Sequence, residues 1–363
     1  MRALFCVLGV LGCGATTDSS SKMVETIDPL SWSVDEPGPF AVGYQTWTLT
    51  YALGGSLGDR SIRVHVWYPT EDESGSSAEY TVGTDPDVFA DATPAPSAHE
   101  DGYPVHIHSH GDLGLGAGSV FLSRHLSSHG WVSVSVDHAG NTLLDATADP
   151  QVATFFHRPL DIRAALDAVE AGDVDVPLAG PANTDRVVLS GHSRGAYTTW
   201  ASFGARYDLE SVSQMCATGD HLDGATCSAE EEAMFASDLS DPRVVATIPL
   251  DGTLRREWFG QDGEEGVNGP VLYFSSTESS GSAHQFDSLA EIAFTWVRLA
   301  GACHQSFANG GCTTLDTELG FHIVRTIALA FSRIEILGDT SSESLDLVTG
   351  DVPINEVVTT VHR

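Results

Sequence analysis

The chain is poor in positive charge. Its 363 residues include 17 lysine and arginine residues against 50 aspartate and glutamate residues, so the formal net charge at pH 7 is −33. A surface that binds nucleic acid needs basic side chains to neutralise phosphates, and an anionic lipid surface would repel so acidic a chain. The composition therefore excludes a nucleic-acid partner and indicates a solvated acidic surface that keeps the protein soluble.

The N-terminal sequence contains an apolar run that is too short to cross a bilayer. Arg2 precedes this run, Ala3–Leu11, and small and polar residues follow it, which is typical of a signal peptide over residues 1–12. The segment VLGC, which ends at Cys13, matches a bacterial lipobox, whose cysteine becomes lipidated; an ordinary signal peptide with a chance cysteine is the alternative. We expect an exported protein, either a membrane-anchored lipoprotein or a secreted or periplasmic one, with a flexible tether over residues 13–38.

Cysteine is scarce beyond this leader. The four remaining cysteines are Cys216, Cys227, Cys303 and Cys312. In an oxidising compartment, an even number of cysteines at short spacings favours the disulfides Cys216–Cys227 and Cys303–Cys312, while the two other pairings stay open. No CxxC or His-x-His-x-Cys spacing accompanies them, so we expect no metal site.

The order of strand-like and helix-like segments indicates the fold class. Two strand-like segments, 44–51 and 61–69, alternate in polarity around a glycine-rich turn, and a polar loop rich in Pro, Ser and Asp follows them. From residue 104 strands alternate with helices. The strands are predicted at 104–109, 131–137, 186–190, 243–250, 270–276 and 293–300, and the helices near 117–129, near 158–171, from 193 and near 315–336. This order predicts an α/β-hydrolase fold, with a mostly parallel central sheet, antiparallel N-terminal strands and helices on both faces.

Two segments interrupt the alternation of strands and helices. We assign the domain to residues 39–337, and the interruptions are residues 207–241 and 255–268. Loops after the carboxyl ends of strands build active sites in open α/β sheets, so these segments are predicted to be cap-like, with surface loops as the alternative. Residues 338–363 are acidic and are expected to be a loose C-terminal extension with one β-prone stretch, INEVVTTV.

The segment SGHSRG places a serine between two glycines. Ser193 follows an apolar strand and precedes a helix, and Gly191 and Gly195 leave room for the strand and the helix to approach each other. The hydroxyl would stand at the helix N-terminus, where backbone N–H groups favour negative charge. This context favours a nucleophile over a serine that only shapes the turn.

A serine nucleophile needs a histidine that takes its proton. His304 comes directly after the last predicted strand, in RLAGACHQSF, where the chain order Ser, acid, His puts the base; His284 and His322 are the rivals. The acid that orients the histidine is either Glu278, in YFSSTESS, or Asp251, in TIPLDGT. Three further histidines lie beside strand ends or the serine turn and fit packing or hydrogen bonding: His110, His138 and His192.

Eight segments keep one order along residues 40–335. They are VHVWYP, SHGDLG, LSSHGWVSVSVDHAGN, RPLDIRAALD, LSGHSRGAY, IPLDG, LYFSSTE and LAGACHQSF. Together they resemble the platelet-activating-factor acetylhydrolase family, with its chlorophyllase and dienelactone-hydrolase-like relatives. The resemblance implies that Asp251 is the acid and that Glu278 is not catalytic.

The oxyanion hole needs two backbone N–H donors. One should come from Arg194, the residue after the nucleophile. The resemblance implies that the other comes from Asp112, where the acetylhydrolases usually have an apolar residue. A carboxylate that pointed into the hole would weaken it.

These residues predict a secreted or lipid-anchored serine esterase that forms an acyl-enzyme and needs no cofactor. The resemblance implies a small-molecule or lipid ester substrate: a phospholipid acyl ester, a chlorophyll-type ester or a polyester. Two alternatives remain. One is a catalytically weak surface lipoprotein that binds a ligand or partner on a hydrolase fold, and the other is a peptidase or lactone hydrolase. We expect a monomer.

Overall fold

The computed structural model describes residues 28–145, 152–173, 178–220, 222, 225–253, 256–260, 263–276 and 282–363. Within them the chain forms a mixed β-sheet of eleven strands. In chain order the strands are β1 Ala41–Ala52, β2 Asp59–Thr70, β3 Ser76–Tyr80, β4 Gly83–Ala90, β5 Tyr103–Ser109, β6 Val132–Asp137, β7 Ala182–His192, β8 Val244–Leu250, β9 Val271–Ser276, β10 Phe294–Leu299 and β11 Val358–His362. The helices are α1 Val120–Ser128, α2 Thr154–Ala171, α3 Arg194–Ser202, α4 Leu209–Thr218, α5 Ala229–Phe235, α6 Arg256–Phe259, α7 Ser282–Ser288, α8 Thr317–Ser332 and α9 Ser342–Thr349.

The centre of the sheet is parallel. Its strands lie in the order β10-β9-β8-β7-β5-β6, and each pairs in parallel with the next. Strands β5, β6 and β9 are buried along their whole length, as expected for parallel strands covered on both faces. Because the strands are parallel, their carboxyl ends meet at one edge of the sheet, and the candidate site forms at this edge.

Helices cover both faces of the sheet. Phe156 of α2 and Trp200 of α3 belong to the hydrophobic cluster on one face, and Leu122 of α1 and Ile327 of α8 belong to the cluster on the other. All four side chains are at most 1% exposed. The observed layers therefore agree with the α/β class that the sequence predicts.

The N-terminal edge of the sheet is largely antiparallel, as predicted. Strand β1 pairs antiparallel with β2, and β2 pairs antiparallel with β6. The predicted polar loop differs from the structure, because it contains the β3–β4 hairpin, whose β4 runs parallel to β1. Only Ala78 and Val88 are buried in these two strands, so their sequence lacks the alternation that predicts a strand.

Both predicted loose ends of the domain are more ordered than expected. In the predicted tether, residues 28–38 pack on the domain: Val34 is buried, and its carbonyl oxygen accepts a hydrogen bond from His125 Nε2 at 3.0 Å. In the predicted extension, residues 338–363, helix α9 leads to β11, which pairs antiparallel with β10 at the edge of the sheet. The docking of residues 28–38 has little signature in a polar sequence. Strand β11 overlaps the β-prone stretch INEVVTTV, whereas helix α9 was not predicted.

Both favoured cysteine pairings are at disulfide distance. Cys216 and Cys227 tie α4 to the segment before α5, with Cα atoms 4.7 Å apart. Cys303 and Cys312 close the loop after β10, with Cα atoms 5.9 Å apart.

The leader and Cys13 lie outside the described residues. No helix in the described part of the chain is long and apolar enough to span a membrane.

Candidate active site

Ser193 stands on the sharp turn between β7 and α3. Its backbone has φ 56° and ψ −115°, a conformation that costs a non-glycine residue free energy and that surrounding packing must hold. A Cβ on Gly191 would collide with the Gly195 backbone, and a Cβ on Gly195 would collide with the Ser109 carbonyl. The two glycines therefore let strand and helix approach closely, as their spacing around the serine predicts.

The N-terminus of α3 faces the space beside Ser193. Arg194 is the first residue of this helix, so its N–H has no acceptor within the helix and remains available to an anion. Ser193 itself is partly exposed, unlike the fully buried β7 residues Val188 and Leu189 that lead to it. The partly exposed serine thus lies at the N-terminus of a helix, where the helix dipole favours negative charge.

Asp251 and His304 are brought together from the ends of β8 and β10. His304 Nδ1 lies 2.7 Å from Asp251 Oδ2, and the other carboxylate oxygen, Oδ1, accepts hydrogen bonds from Ser276 N at 2.9 Å and Ser276 Oγ at 3.2 Å. The Asp251 side chain is 3% exposed, whereas that of His304 is 45% exposed. A buried carboxylate fixed on both oxygens can orient an accessible imidazole and stabilise its protonated form.

His192 connects the serine turn to the His304 loop. Its Nε2 donates to the His304 carbonyl oxygen at 2.9 Å, and the two imidazole centroids are 4.6 Å apart. Burial lowers the pKa of His192 to about 4, so the ring is neutral at pH 7 and its one proton stays on Nε2. The residue before Ser193 therefore holds the backbone of His304 beside the turn.

The carboxylate of Asp112 is paired rather than free. Its Oδ1 lies 2.8 Å from Arg194 Nε and accepts a hydrogen bond from Asn141 Nδ2, also at 2.8 Å. The side chains of the two predicted oxyanion residues, Arg194 and Asp112, therefore form an ion pair with each other. The arginine therefore compensates the negative charge of the Asp112 carboxylate.

Among the rival residues, the structure describes the side chain of His322 alone. Glu278 and the side chain of His284 lie outside what the structure describes. His322, on α8, pairs with Asp35 at 3.0 Å. His110 donates from Nδ1 to the Gly111 carbonyl oxygen at 2.6 Å and accepts from the His138 N–H at 3.0 Å, so it serves hydrogen bonding, as expected.

A second Ser–His–Asp arrangement lies below the candidate site. His138 Nε2 is 2.8 Å from Ser109 Oγ, and His138 Nδ1 is 2.8 Å from Asp161 Oδ2. Asp161 also receives both nitrogens of a bidentate contact from Arg60, at 2.7 and 2.8 Å. Ser109, His138 and Asp161 are completely buried, so no substrate reaches them and the arrangement is structural.

Sequence reasoning missed Arg158 and Asp161. Both are fully buried on α2, where Arg158 faces the loop after β5. Arginine and aspartate are rarely fully buried unless they are paired. The available signal was their spacing of three residues in the helix segment RPLDIRAALD, which places them on one face of the helix.

The described parts of the two predicted cap-like segments, 207–241 and 255–268, pack on the domain through aromatic side chains. Trp258 of α6 stacks on Phe155 with ring centroids 4.0 Å apart, and Phe235 of α5 stacks on Trp258 at 5.5 Å. Phe259 stacks on Tyr207 at 4.7 Å.

Among the residues described by the structure, no group of three or more histidine, cysteine, aspartate or glutamate side chains could hold a metal ion.

Comparison with known proteins supports the fold. No family model matches the chain. No curated protein sequence matches it either. The structure is similar to that of a ferulic acid esterase from Streptomyces cinnamoneus, with a TM-score of 0.63 and 20% sequence identity over 90% of this chain and 98% of that chain. The chain therefore has an α/β-hydrolase-like fold.

Proposed function

We propose that this chain is an exported serine esterase with Ser193 as nucleophile, His304 as base and Asp251 as the acid that orients His304. The observation that carries the proposal is the 2.7 Å contact between His304 Nδ1 and the buried Asp251 carboxylate. This pair is joined to the strained serine turn by the hydrogen bond from His192 to the His304 backbone. The likeness to a solved esterase adds support at the level of the fold.

The proposed reaction has two halves. Ser193 Oγ attacks the ester carbonyl carbon while His304 Nε2 takes the hydroxyl proton, and the carbonyl oxygen becomes an oxyanion that accepts from the N–H groups of Arg194 and Asp112. The intermediate collapses, the C–O bond to the alcohol breaks, and His304 protonates the leaving alcohol. Water then attacks the acyl-enzyme, His304 takes its proton, and the acid is released as the proton returns to Ser193.

The proposed substrate is a carboxylic ester, and comparing hydrolysis rates across a panel of esters identifies its class. The family resemblance suggests phospholipid acyl, chlorophyll-type or polyester esters. The neighbouring structure adds esters of ferulic acid to the panel. All these substrates share the reacting ester carbonyl, so the same catalytic residues serve each of them.

The test compares hydrolysis of p-nitrophenyl acetate, butyrate and palmitate and of methyl ferulate by the wild type and three variants. We expect Ser193→Ala and Asp251→Asn to lose turnover and the matched carboxylate control Glu278→Gln to keep it. Loss in Glu278→Gln with activity in Asp251→Asn would contradict the acid assignment. If the wild type neither hydrolyses these esters nor reacts with a fluorophosphonate, the result favours the alternative, a catalytically weak surface lipoprotein that binds a ligand or partner on a hydrolase fold.

We also propose that lipid on Cys13 anchors the exported protein. The expected result is that the full-length wild type fractionates with membranes and that Cys13→Ser moves it to the soluble fraction, because the net charge of −33 gives no electrostatic attraction to anionic lipid. A wild type that is soluble in the same fractionation would contradict the anchor and leave the esterase proposal untouched.

A further inference from the structure

The carbonyl oxygen of Gly111 accepts three hydrogen bonds. The donors are Arg158 Nη2 at 3.0 Å, His110 Nδ1 at 2.6 Å and Gly114 N at 3.1 Å. A carbonyl oxygen has two lone pairs, so three donors surround it more completely than ordinary pairing requires. The direction of this carbonyl is therefore tightly determined.

The same peptide group carries the N–H of Asp112, one of the two proposed oxyanion donors. A peptide group is planar, and in its trans form the C=O and N–H bonds point in opposite directions; the described residues contain no cis peptide. Gly111 lies against the nucleophile, since a Cβ built on it would be 3.4 Å from Ser193 Cβ. Because the two bonds share one rigid peptide plane, fixing the direction of the Gly111 carbonyl also fixes the direction of the Asp112 N–H.

Arg158 supplies a buried cation to this loop. It is fully buried, and its guanidinium donates to neutral acceptors: Asn141 Oδ1 at 2.6 and 3.0 Å, the His110 carbonyl at 2.7 Å, the Gly111 carbonyl and Ser109 Oγ at 3.3 Å. Burial lowers the pKa of Arg158 to about 9, which leaves it protonated at pH 7. A buried charge is costly without compensation, so its retention needs a reason.

A negative charge that develops at the oxyanion hole is such a reason. The nearby carboxylates are already engaged, Asp112 by Arg194 and Asp161 by Arg60. A hydrogen bond from a cation to the Gly111 carbonyl polarises the peptide group and makes its N–H a stronger donor, because hydrogen bonds in a chain reinforce one another. Electrostatic groups that are already oriented before reaction stabilise a transition state without reorganisation.

We propose that Arg158 is a positioning residue of the oxyanion hole, which orients and polarises the Gly111–Asp112 peptide. This inference rests on the proposed function, because the oxyanion forms only if Ser193 attacks an ester. Arg158 does not touch the substrate. It acts through the backbone of the loop after β5.

The test is Arg158→Lys in the full chain, with Arg163→Lys as the matched control. Arg163 lies on the same helix and also donates to backbone carbonyls, those of Asp238 at 2.9 Å and Ser240 at 2.7 Å, outside the oxyanion loop. Lysine keeps the positive charge but loses the planar fork that reaches several acceptors. Active sites are counted by reaction with a fluorophosphonate to completion, and kcat for p-nitrophenyl butyrate is expressed per titrated site.

We expect Arg158→Lys to lower kcat per site by about 10- to 100-fold with KM changed by less than about threefold. The affinity for a trifluoromethyl ketone, which forms a tetrahedral oxyanion adduct with a serine, should weaken by the same factor. Arg163→Lys should leave both quantities within about twofold of the wild type. A merely structural role would lower the number of titrated sites and the thermal midpoint and leave kcat per site unchanged, which would overturn the proposal.

A second variant keeps the proposal falsifiable if Arg158→Lys does not fold. Arg158→Gln removes the cation and should lower kcat per site at least as much as Arg158→Lys; a normal kcat per site in a folded Arg158→Gln variant would overturn the proposal. If the wild type itself shows neither turnover nor titration, the proposed function falls and this inference with it. If the wild type is active and Arg158→Lys equals Arg163→Lys, only the role of Arg158 falls.

Discussion

The variant Asp251→Asn tests whether Asp251 is the acid that orients His304. Its expected effect follows from the hydrogen bonds made by the two carboxylate oxygens of Asp251. Asp251 Oδ1 accepts from the Ser276 N–H at 2.9 Å, and Oδ2 faces His304 Nδ1 at 2.7 Å. In the variant, the amide oxygen has to remain opposite Ser276, because the reverse orientation sets an NH2 group against a buried N–H. The NH2 group then faces His304 Nδ1, which can only accept from it, so the histidine proton moves to Nε2.

The size of the effect follows from this orientation. Leaving the Ser276 N–H unpaired costs about 2 kcal/mol, which favours the unproductive orientation by roughly 30-fold. A histidine protonated on Nε2 cannot take the Ser193 proton, and the variant also lacks the carboxylate charge that stabilises the imidazolium. We therefore expect kcat/KM to fall by at least about 30-fold and towards about 10⁴-fold, or roughly 5.5 kcal/mol, as in other triads.

The assay is initial-rate hydrolysis of p-nitrophenyl butyrate, with thermal unfolding measured in parallel. Asp208→Asn is the matched control: Asp208 caps α4 by accepting from Glu210 N and Ser211 N, and asparagine caps a helix as well as aspartate does. Its rate should equal that of the wild type. An Asp251→Asn variant that folds and keeps more than about a tenth of the wild-type kcat/KM would refute the reasoning.

Three further predictions concern the same region and the stability of the domain. His192→Phe removes the hydrogen bond to the His304 carbonyl and should lower kcat by roughly 3- to 10-fold in steady-state kinetics; an unchanged kcat would contradict the role of His192. Replacing Cys303–Cys312 by serines should cost roughly 2–3 kcal/mol and also lower kcat, because this disulfide closes the His304 loop, whereas serines at Cys216–Cys227 should cost a similar free energy and leave kcat unchanged; equal kcat in both double variants would count against it. Burial lowers the pKa of His106 to about 3 and that of His192 to about 4, and the unfolded chain titrates near about 6.5. The unfolded state therefore binds these protons first, and the free energy of unfolding should fall as the pH drops below about 6.5, by about 1.4 kcal/mol per pH unit for each histidine until the folded state titrates. A thermal midpoint that is constant between pH 7 and pH 5 would contradict this.

Much of the fold could be predicted because its signals are local. The apolar run before Ser193, the glycines around it and the short cysteine spacings each lie within about a dozen residues. The β3–β4 hairpin could not be predicted in this way, since exposed edge strands are held by backbone pairing and carry little apolar alternation. Likewise, the docking of residues 28–38 depends on contacts with distant α1.

The residues of the candidate site could also be predicted only in part from local sequence signals. The positions of Ser193, Asp251 and His304 at strand ends follow from chain order, which the sequence carries. The support of the oxyanion loop does not, because Arg158 reaches carbonyl groups 47 and 48 residues earlier in the chain. Such contacts arise only when α2 packs on the sheet. The buried charges on α2 indicate that a partner must exist, but no sequence pattern identifies backbone oxygens as that partner.

The most direct test of the central proposal is to identify the residue that a fluorophosphonate modifies. The wild type, treated with the reagent and analysed by peptide mass spectrometry, should carry one adduct, on Ser193, and lose esterase activity in proportion to labelling. Ser193→Ala should carry none and should hydrolyse no ester. An adduct on another residue, or full esterase activity in Ser193→Ala, would contradict the proposal that Ser193 is the nucleophile.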